Sequence, residues 1–319
     1  MPRTLLLIER EAPADLAIYR PALAAAAPDF DIVMATSEDE AVTAGRDAEI
    51  LIGKAQSITS RLFHALPNLR WIQALTSGTD PIDALNLPSD IIVTSMRGIH
   101  APQMAELAIL LMLALQRQFP RMLRNQEQRR WERWPQPLLA GRTALLVGVG
   151  QISEGLAARC AAFGMRVEGI SDGRAAAPGF AVLYPRARLC EAIAQADFVI
   201  ALVPYSGATR HLIDEAALRA MRPDAFLINI ARGGVVDEAA LRMALEQGWI
   251  AGAGLDVFGR EPLPEGDPIW SAPNVIITPH IGGMSDRYAE QAAPVMSRNL
   301  AAYAAGKLDQ MVNVVRRPD

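Results

Sequence analysis

The chain has 319 residues, which suggests about two domains, each with ample material for a core. A net charge of -4 with dispersed Lys and Arg excludes nucleic acid as the principal partner. The longest apolar run, residues 107–115, falls far short of the roughly 20 needed to cross a bilayer, so no membrane partner is expected.

The start, Met1-Pro2-Arg3-Thr4-Leu5-Leu6-Leu7-Ile8, lapses into Glu9-Arg10-Glu11 before a signal-peptide core is complete, which predicts a cytoplasmic chain. Cys160 and Cys190 fit no metal pattern and read as small buried hydrophobes, so no metal site is expected. Short apolar runs at residues 4–8, 31–35, 50–52, 71–75 and 91–94 alternate with helix-forming segments such as 14–27 and 60–66. That is the pattern of βαβ units, and it predicts a small parallel sheet buried on both faces. The run at 71–75 ends in Thr76-Ser77-Gly78-Thr79-Asp80. Ligands gather at this edge of open α/β sheets, and the amides of Ser77 and Gly78 can hold a carboxylate there; an ordinary strand-ending turn is the alternative. Lys54 ends another such run and lines the same edge unless it is simply solvated.

Residues 101–118 lack a breaker past Pro102 and predict a long, largely buried helix. The charge-rich stretch 121–133 then carries Trp131, with Trp134 just beyond it. Aromatics among arginines suit either a dimer arm or a solvated helix with two packed tryptophans.

The run Leu145-Leu146-Val147-Gly148-Val149-Gly150-Gln151-Ile152-Ser153 reads as a buried strand turning into a helix. Its glycines permit a tight turn and close approach to a pyrophosphate, and the free N–H groups of the helix start favour an anion. Ser153 stands where a third glycine is usual. The next strand, 166–170, runs into Ser171, Asp172 and Arg174. With Ser171 in the place of the ribose-binding acid and Arg174 near it, NADP(H) is favoured; Asp172 turned inward would serve NAD(H) instead.

Later apolar runs at 198–202, 225–230, 250–255 and 275–278 end at Val203-Pro204, Ala231-Arg232-Gly233-Gly234, Asp256-Val257-Phe258 and Pro279-His280. Arg232, Glu261 and His280 therefore converge on the edge that carries the glycine turn. Reducing a 2-keto acid needs a proton donor at the carbonyl oxygen and a cation for the carboxylate. His280 suits the first role, oriented by Glu261, and the fork of Arg232 suits the second. His64 and His211 read as structural, and His100, near the interdomain crossover, stays open.

These segments, with Asn229-Ile230-Ala231-Arg232-Gly233-Gly234-Val235-Val236-Asp237, Gly259-Arg260-Glu261-Pro262 and Thr278-Pro279-His280-Ile281-Gly282-Gly283, resemble the D-isomer-specific 2-hydroxyacid dehydrogenase family over nearly the full length. The resemblance implies an α/β fold of two doubly wound parallel sheets, with a Rossmann cofactor domain, 99–286, inserted into a flavodoxin-like substrate domain, 1–98 and 287–319. It implies Arg232, Glu261 and His280 as catalytic residues and Ser77, Gly78 and Arg232 as the substrate-carboxylate site. Cofactor contacts are expected from Gly148, Gly150, Gln151, Ile152, Ser171, Asp172, Arg174, Val203, Pro204, Thr209, Ile230, Ala231, Asp256, His280 and Gly282. The pattern around Ser171 and Arg174 looks more like the glyoxylate and hydroxypyruvate reductase branch than the lactate branch, and a homodimer built largely through cofactor domains is implied. A cofactor-sensing, corepressor-like binding protein of the same fold is the alternative function, and a nucleoside-binding methyltransferase the weaker third.

Overall fold

A computed structural model describes residues 3–317; Met1, Pro2, Pro318 and Asp319, which belong to the terminal stretches considered above, lie outside the described residues. In chain order the elements are β1 (Arg3–Ile8), α1 (Leu16–Ala26), β2 (Phe30–Ala35), α2 (Glu38–Ala44), β3 (Ile50–Gly53), α3 (Ser60–His64), β4 (Trp71–Ala74), α4 (Asp80–Asp83) and β5 (Ile92–Thr94). There follow α5 (Ala101–Gln116), α6 (Phe119–Glu127), β6 (Thr143–Val147), α7 (Gln151–Ala162), β7 (Arg166–Ile170), β8 (Val182–Tyr184), α8 (Leu189–Ile193), β9 (Phe198–Ala201) and α9 (Glu215–Ala220). The chain continues through β10 (Phe226–Asn229), α10 (Glu238–Glu246), β11 (Gly252–Leu255) and β12 (Val275–Ile277), then closes with α11 (Tyr288–Ala304) and β13 (Val314–Arg316). Two compact units result: one holds the chain up to Ile99 together with the stretch from Ser285 onward, the other is His100–Met284.

The first unit has a six-stranded sheet in the order β13-β5-β4-β3-β1-β2. Its five parallel strands follow the flavodoxin-like order, with the direction of winding reversing between β1 and β3. One strand departs from the expected all-parallel sheet: β13 pairs antiparallel with β5. Tyr19 and Leu23 of α1 and Met296 and Leu300 of α11 bury one face. Ala41, Leu62 and Ile82, from α2, α3 and α4, bury the other.

The second unit has a seven-stranded sheet, β12-β11-β10-β9-β6-β7-β8, in which every pairing is parallel. This is the doubly wound dinucleotide-binding order, with β6 as the first strand and its reversal at β9. Leu145, Leu146 and Val147 of β6 are wholly buried; each contributes about 1.5–3 kcal/mol by leaving water. Helices α5 and α7 cover one face, and α8, α9 and α10 the other. A left-handed Gly164 ends α7, its amide bonded to the Ala161 carbonyl and that of Met165 to the Cys160 carbonyl.

Several local expectations are corrected. The helix predicted over 101–118 stops at Gln116 because Gln118 is left-handed and Pro120 opens a new helix. That helix, α6, ends at Glu127 rather than near residue 133: Arg129 is left-handed, and the Arg130 amide closes onto the Asn125 carbonyl. Trp131 is not packed but 89% exposed, while the Arg121 guanidinium lies over the Trp134 ring. Cys160 is buried as expected and Cys190 is exposed, contrary to expectation; burial pushes the Cys160 thiol up to about 12. Among the described residues, no helix is long and apolar enough to cross a membrane and no cluster of side chains suits a metal.

Candidate active site

The carboxyl end of the second sheet gathers the loops after β6, β7, β9, β10, β11 and β12. After β6, Gly148 has φ 105° and presses on the end of β9: a Cβ there would lie 2.8 Å from Val203 Cγ1 and 3.0 Å from the Leu202 carbonyl carbon. Only glycine meets both demands. Gly150 is different, since a Cβ on it would meet nothing within 4 Å. It caps α7 without any side-chain cap, and the amides of Gln151 and Ile152 donate to nothing among the described residues. Open backbone at a helix start fits a dinucleotide pyrophosphate. Ser153 is 2% exposed, and its hydroxyl donates to the Gly148 carbonyl at 2.5 Å. The missing third glycine is thus replaced by a side chain that ties the turn to the helix.

The loop after β9 starts with Val203 and Pro204 and is braced by Thr209, whose hydroxyl donates to the Pro204 carbonyl at 2.7 Å. Ile230, proposed from sequence as a cofactor contact, has its side chain in the core with α5 and α7. The neighbouring Ala231 amide donates to Asn229 Oδ1, and Asn229 Nδ2 donates to the Arg232 carbonyl. Asn229, nearly fully buried, was missed from sequence; it staples the turn that presents Arg232. Arg232 is half-buried and donates to the Ala231 carbonyl at 2.7 Å. A Cβ on Gly233 would fall 1.9 Å from the Phe258 carbonyl carbon, so the loops after β10 and β11 touch backbone to backbone.

That contact sets the Arg232 turn beside the loop carrying Glu261. One oxygen of Glu261 accepts from the Phe258 amide at 2.8 Å and the other faces His280 Nδ1 at 2.6 Å. An ionised carboxylate can only accept, so Nδ1 carries the proton and Nε2 is left facing outward for chemistry. His280 itself has φ 54°. Left-handed backbone costs a non-glycine residue about 1–2 kcal/mol. The compensation lies in Asp256, 1% exposed, whose carboxylate accepts from the Ile281 and Gly282 amides at 3.0 and 2.9 Å and from Thr278 Oγ1 at 2.5 Å. Asp256 therefore anchors the histidine loop on both sides. Gly282 has no room for a side chain, since a Cβ would lie 2.8 Å from both Asp256 Oδ2 and Leu107 Cδ2.

At the end of β7, Ser171 is half-buried and its amide donates to the Tyr184 carbonyl. The two charged groups expected beside it are both engaged. Arg174 donates to Glu154 Oε1 at 2.5 Å, and Asp172 is held by Arg186. The Arg186 amide and guanidinium keep the Asp172 carboxyl below its usual range. In the first unit, the Ser77 and Gly78 amides donate to nothing among the described residues, and Thr76 Oγ1 braces the loop by donating to the Gly78 carbonyl at 2.6 Å. Lys54 is not simply solvated: its ammonium lies 3.3 Å from Glu9 and 2.8 Å from Glu11. His64 bonds its own helix at the Ser60 carbonyl, and His211 lies 3.7 Å from Asp237, as structural histidines do.

A doubly wound domain with an open glycine turn and a strand-end His–Glu pair is the arrangement of a dinucleotide-dependent oxidoreductase. Residues 109–282 match the model described as "D-isomer specific 2-hydroxyacid dehydrogenase, NAD binding domain". The chain is 34% identical over 289 residues to the glyoxylate reductase of Korarchaeum cryptofilum, covering 86% of each. Among solved structures, a D-isomer specific 2-hydroxyacid dehydrogenase family protein from Aeromonas salmonicida superposes with a TM-score of 0.90 at 32% identity, over 99% of both chains. The NADPH-dependent glyoxylate/hydroxypyruvate reductase of Sinorhizobium meliloti, solved with NADP and sulfate, gives 0.83 at 25% identity over 98% of both. The chain belongs to the D-isomer-specific 2-hydroxyacid dehydrogenase family. It is an oxidoreductase acting on CH–OH donors and their 2-keto counterparts, with a nicotinamide cofactor, which sets aside the methyltransferase reading of the glycine turn.

Proposed function

We propose that this chain is an NADP(H)-dependent reductase of small 2-keto acids of the glyoxylate and hydroxypyruvate type, giving D-2-hydroxy acids. The observation that carries the chemistry is the 2.6 Å contact between His280 Nδ1 and Glu261, with the far oxygen of Glu261 already fixed by the Phe258 amide. In the reduction, His280 donates the Nε2 proton to the carbonyl oxygen, and Glu261 holds the ring in orientation through Nδ1. Arg232 pairs with the substrate carboxylate and polarises the carbonyl. The Ser77 and Gly78 amides of the first unit are assigned to binding a substrate carboxylate. The reduced nicotinamide, when bound, supplies the hydride that completes the new C–H bond at the carbonyl carbon.

Gly148, Gly150, Gln151 and Ile152 are assigned to the pyrophosphate, the Val203–Pro204 and Ala231 backbone to the flanks of the cofactor, and Ser171 to its ribose. Two relatives named above support the substrate class, and the S. meliloti enzyme, described as NADPH-dependent, supports NADP(H). The intact His280–Glu261 pair favours catalysis over a purely sensing role. Steady-state rates with glyoxylate, hydroxypyruvate, pyruvate and phenylpyruvate, each with NADPH and NADH, test the proposal; no oxidation of either cofactor across the panel would refute it. His280→Ala is expected to lower kcat by about 100-fold or more while NADPH still binds. Turnover near wild type would remove His280 from proton transfer.

A further inference from the structure

The arginine closest in sequence to Ser171 is Arg174, and it is turned onto α7 through Glu154. A different arginine occupies the carboxyl edge. Arg186 follows β8, and because β8 pairs in parallel with β7 it returns to the same end of the sheet as Ser171. Its amide donates to Asp172 Oδ1 at 2.8 Å, and its Nε and one terminal nitrogen donate to Asp172 Oδ2 at 3.0 and 2.8 Å. The other terminal nitrogen donates to the Ala208 carbonyl at 2.8 Å. Ala208 lies in the loop after β9, and β9 and β7 flank β6 in the sheet. One guanidinium therefore joins the two loops on either side of the glycine-turn strand, which in a doubly wound sheet wall the crevice for the nucleoside. Of its five N–H groups, two remain undirected among the described residues.

We propose that Arg186, not Arg174, is the residue that selects NADP(H), pairing with the 2′-phosphate, and that Asp172 is a built-in counter-ion that limits this selectivity. This rests on the NADP(H) reading given above. The chemistry is that of a planar fork matched to phosphate oxygens. Asp172 works in the opposite direction: its carboxylate shares Arg186 with the incoming phosphate and repels it when Arg186 is absent. The pair as a whole is nearly neutral, which suits the uncharged ribose of NAD(H), and a phosphate must compete for the guanidinium.

The test is fluorescence titration of NADPH and NADH against the full-length wild type and the variants Arg186→Ala, Asp172→Asn and Arg174→Ala, with no turnover needed. Arg186→Ala is expected to weaken NADPH by about tenfold or more and to leave NADH within about twofold. Asp172→Asn is expected to tighten NADPH while NADH stays within about twofold, a gain that damage to the fold does not produce. Arg174→Ala leaves both cofactors unchanged. Equal weakening of both cofactors by Arg186→Ala would reduce Arg186 to a brace between loops and overturn the proposal. So would a selective loss of NADPH with Arg174→Ala alone. A wild type that binds NADH but not NADPH would overturn the NADP(H) reading itself, a result distinct from either variant outcome.

Discussion

Asp256 shows how a single buried carboxylate can control a residue three positions beyond the end of a strand. The left-handed turn at His280 aims two consecutive amides, Ile281 and Gly282, at one carboxylate, and Thr278 Oγ1 supplies a third donor. Every donor in this set needs an acceptor, so the isosteric Asp256→Asn places an NH2 against an N–H or hydroxyl. A charge-assisted hydrogen bond contributes about 1.5–3 kcal/mol, so the variant is expected to lose about 2–3 kcal/mol of stability in denaturant titration. The His280 ring should also lose its fixed orientation, lowering kcat by about ten- to a hundredfold. Wild-type stability together with wild-type kcat would show that the loop holds itself. His280, Glu261 and Arg232 stood out in the sequence because Arg232 and His280 follow strand ends and Glu261 lies in the loop after β11, each beside Gly or Pro, where a charged residue has no packing reason to sit. Asp256 was legible as a motif residue, but its work under the histidine loop was not. Asn229 was likewise quoted only as part of a motif, and its bracing of the Arg232 turn was not legible, because a buried amide at a strand end has the same sequence context as any strand-ending Asn.

Longer elements were legible for the same physical reason that short ones were not. An apolar run of five or six residues between helix-forming segments states a buried parallel strand, and the runs that became β1, β2, β6 and β7 were read this way. β8 and β13 have three residues each and only partial burial, too short for any period to emerge. Missing β8 had a consequence, since it hid the route by which Arg186 returns to the Ser171 edge. The resemblance implied the C-terminal return, but the strand that ends it, β13, was likewise hidden, because that segment is anchored by a polar network rather than an apolar pattern. Asn299 on α11 is fully buried; its Nδ2 donates to Gln73 Oε1 and to the Val312 carbonyl, and its Oδ1 accepts from the Val312 amide. Gln73 in turn accepts from Thr94, which accepts from Trp71 Nε1. Asn299→Ala leaves the Val312 groups without partners where water is scarce, at an expected cost of about 2–4 kcal/mol. Urea unfolding should show a lower midpoint with an unchanged slope. A change below about 0.5 kcal/mol would mean that the network is idle and the apolar contacts of α11 suffice.

For the whole molecule, the open question of the sequence, dimer arm or solvated helix over residues 121–133, is narrowed by exposure on that stretch and its flanks. Phe119, Leu123, Trp131 and Leu138 are all exposed on this one stretch, and Arg121, Arg124, Arg129, Arg130 and Arg133 lie among them. A monomer gains nothing by ending a helix and then holding a tryptophan in water. Tryptophan and arginine are the residues that interface cores favour, because a large flat surface is buried at little conformational cost. We infer that this stretch builds a homodimer between cofactor-binding units. Light scattering on the full chain is expected to give twice the chain mass, and Leu123→Glu with Trp131→Glu is expected to give a single chain. The two substitutions remove apolar anchors of such an interface and put in their place charges that must be desolvated there, at about 2 kcal/mol or more each. NADPH binding should survive in that variant, since the glycine turn and the loops after β7 and β9 lie outside the altered stretch. A wild type with the mass of one chain would refute the dimer, and a variant that remains dimeric would move the interface to another face of the same unit.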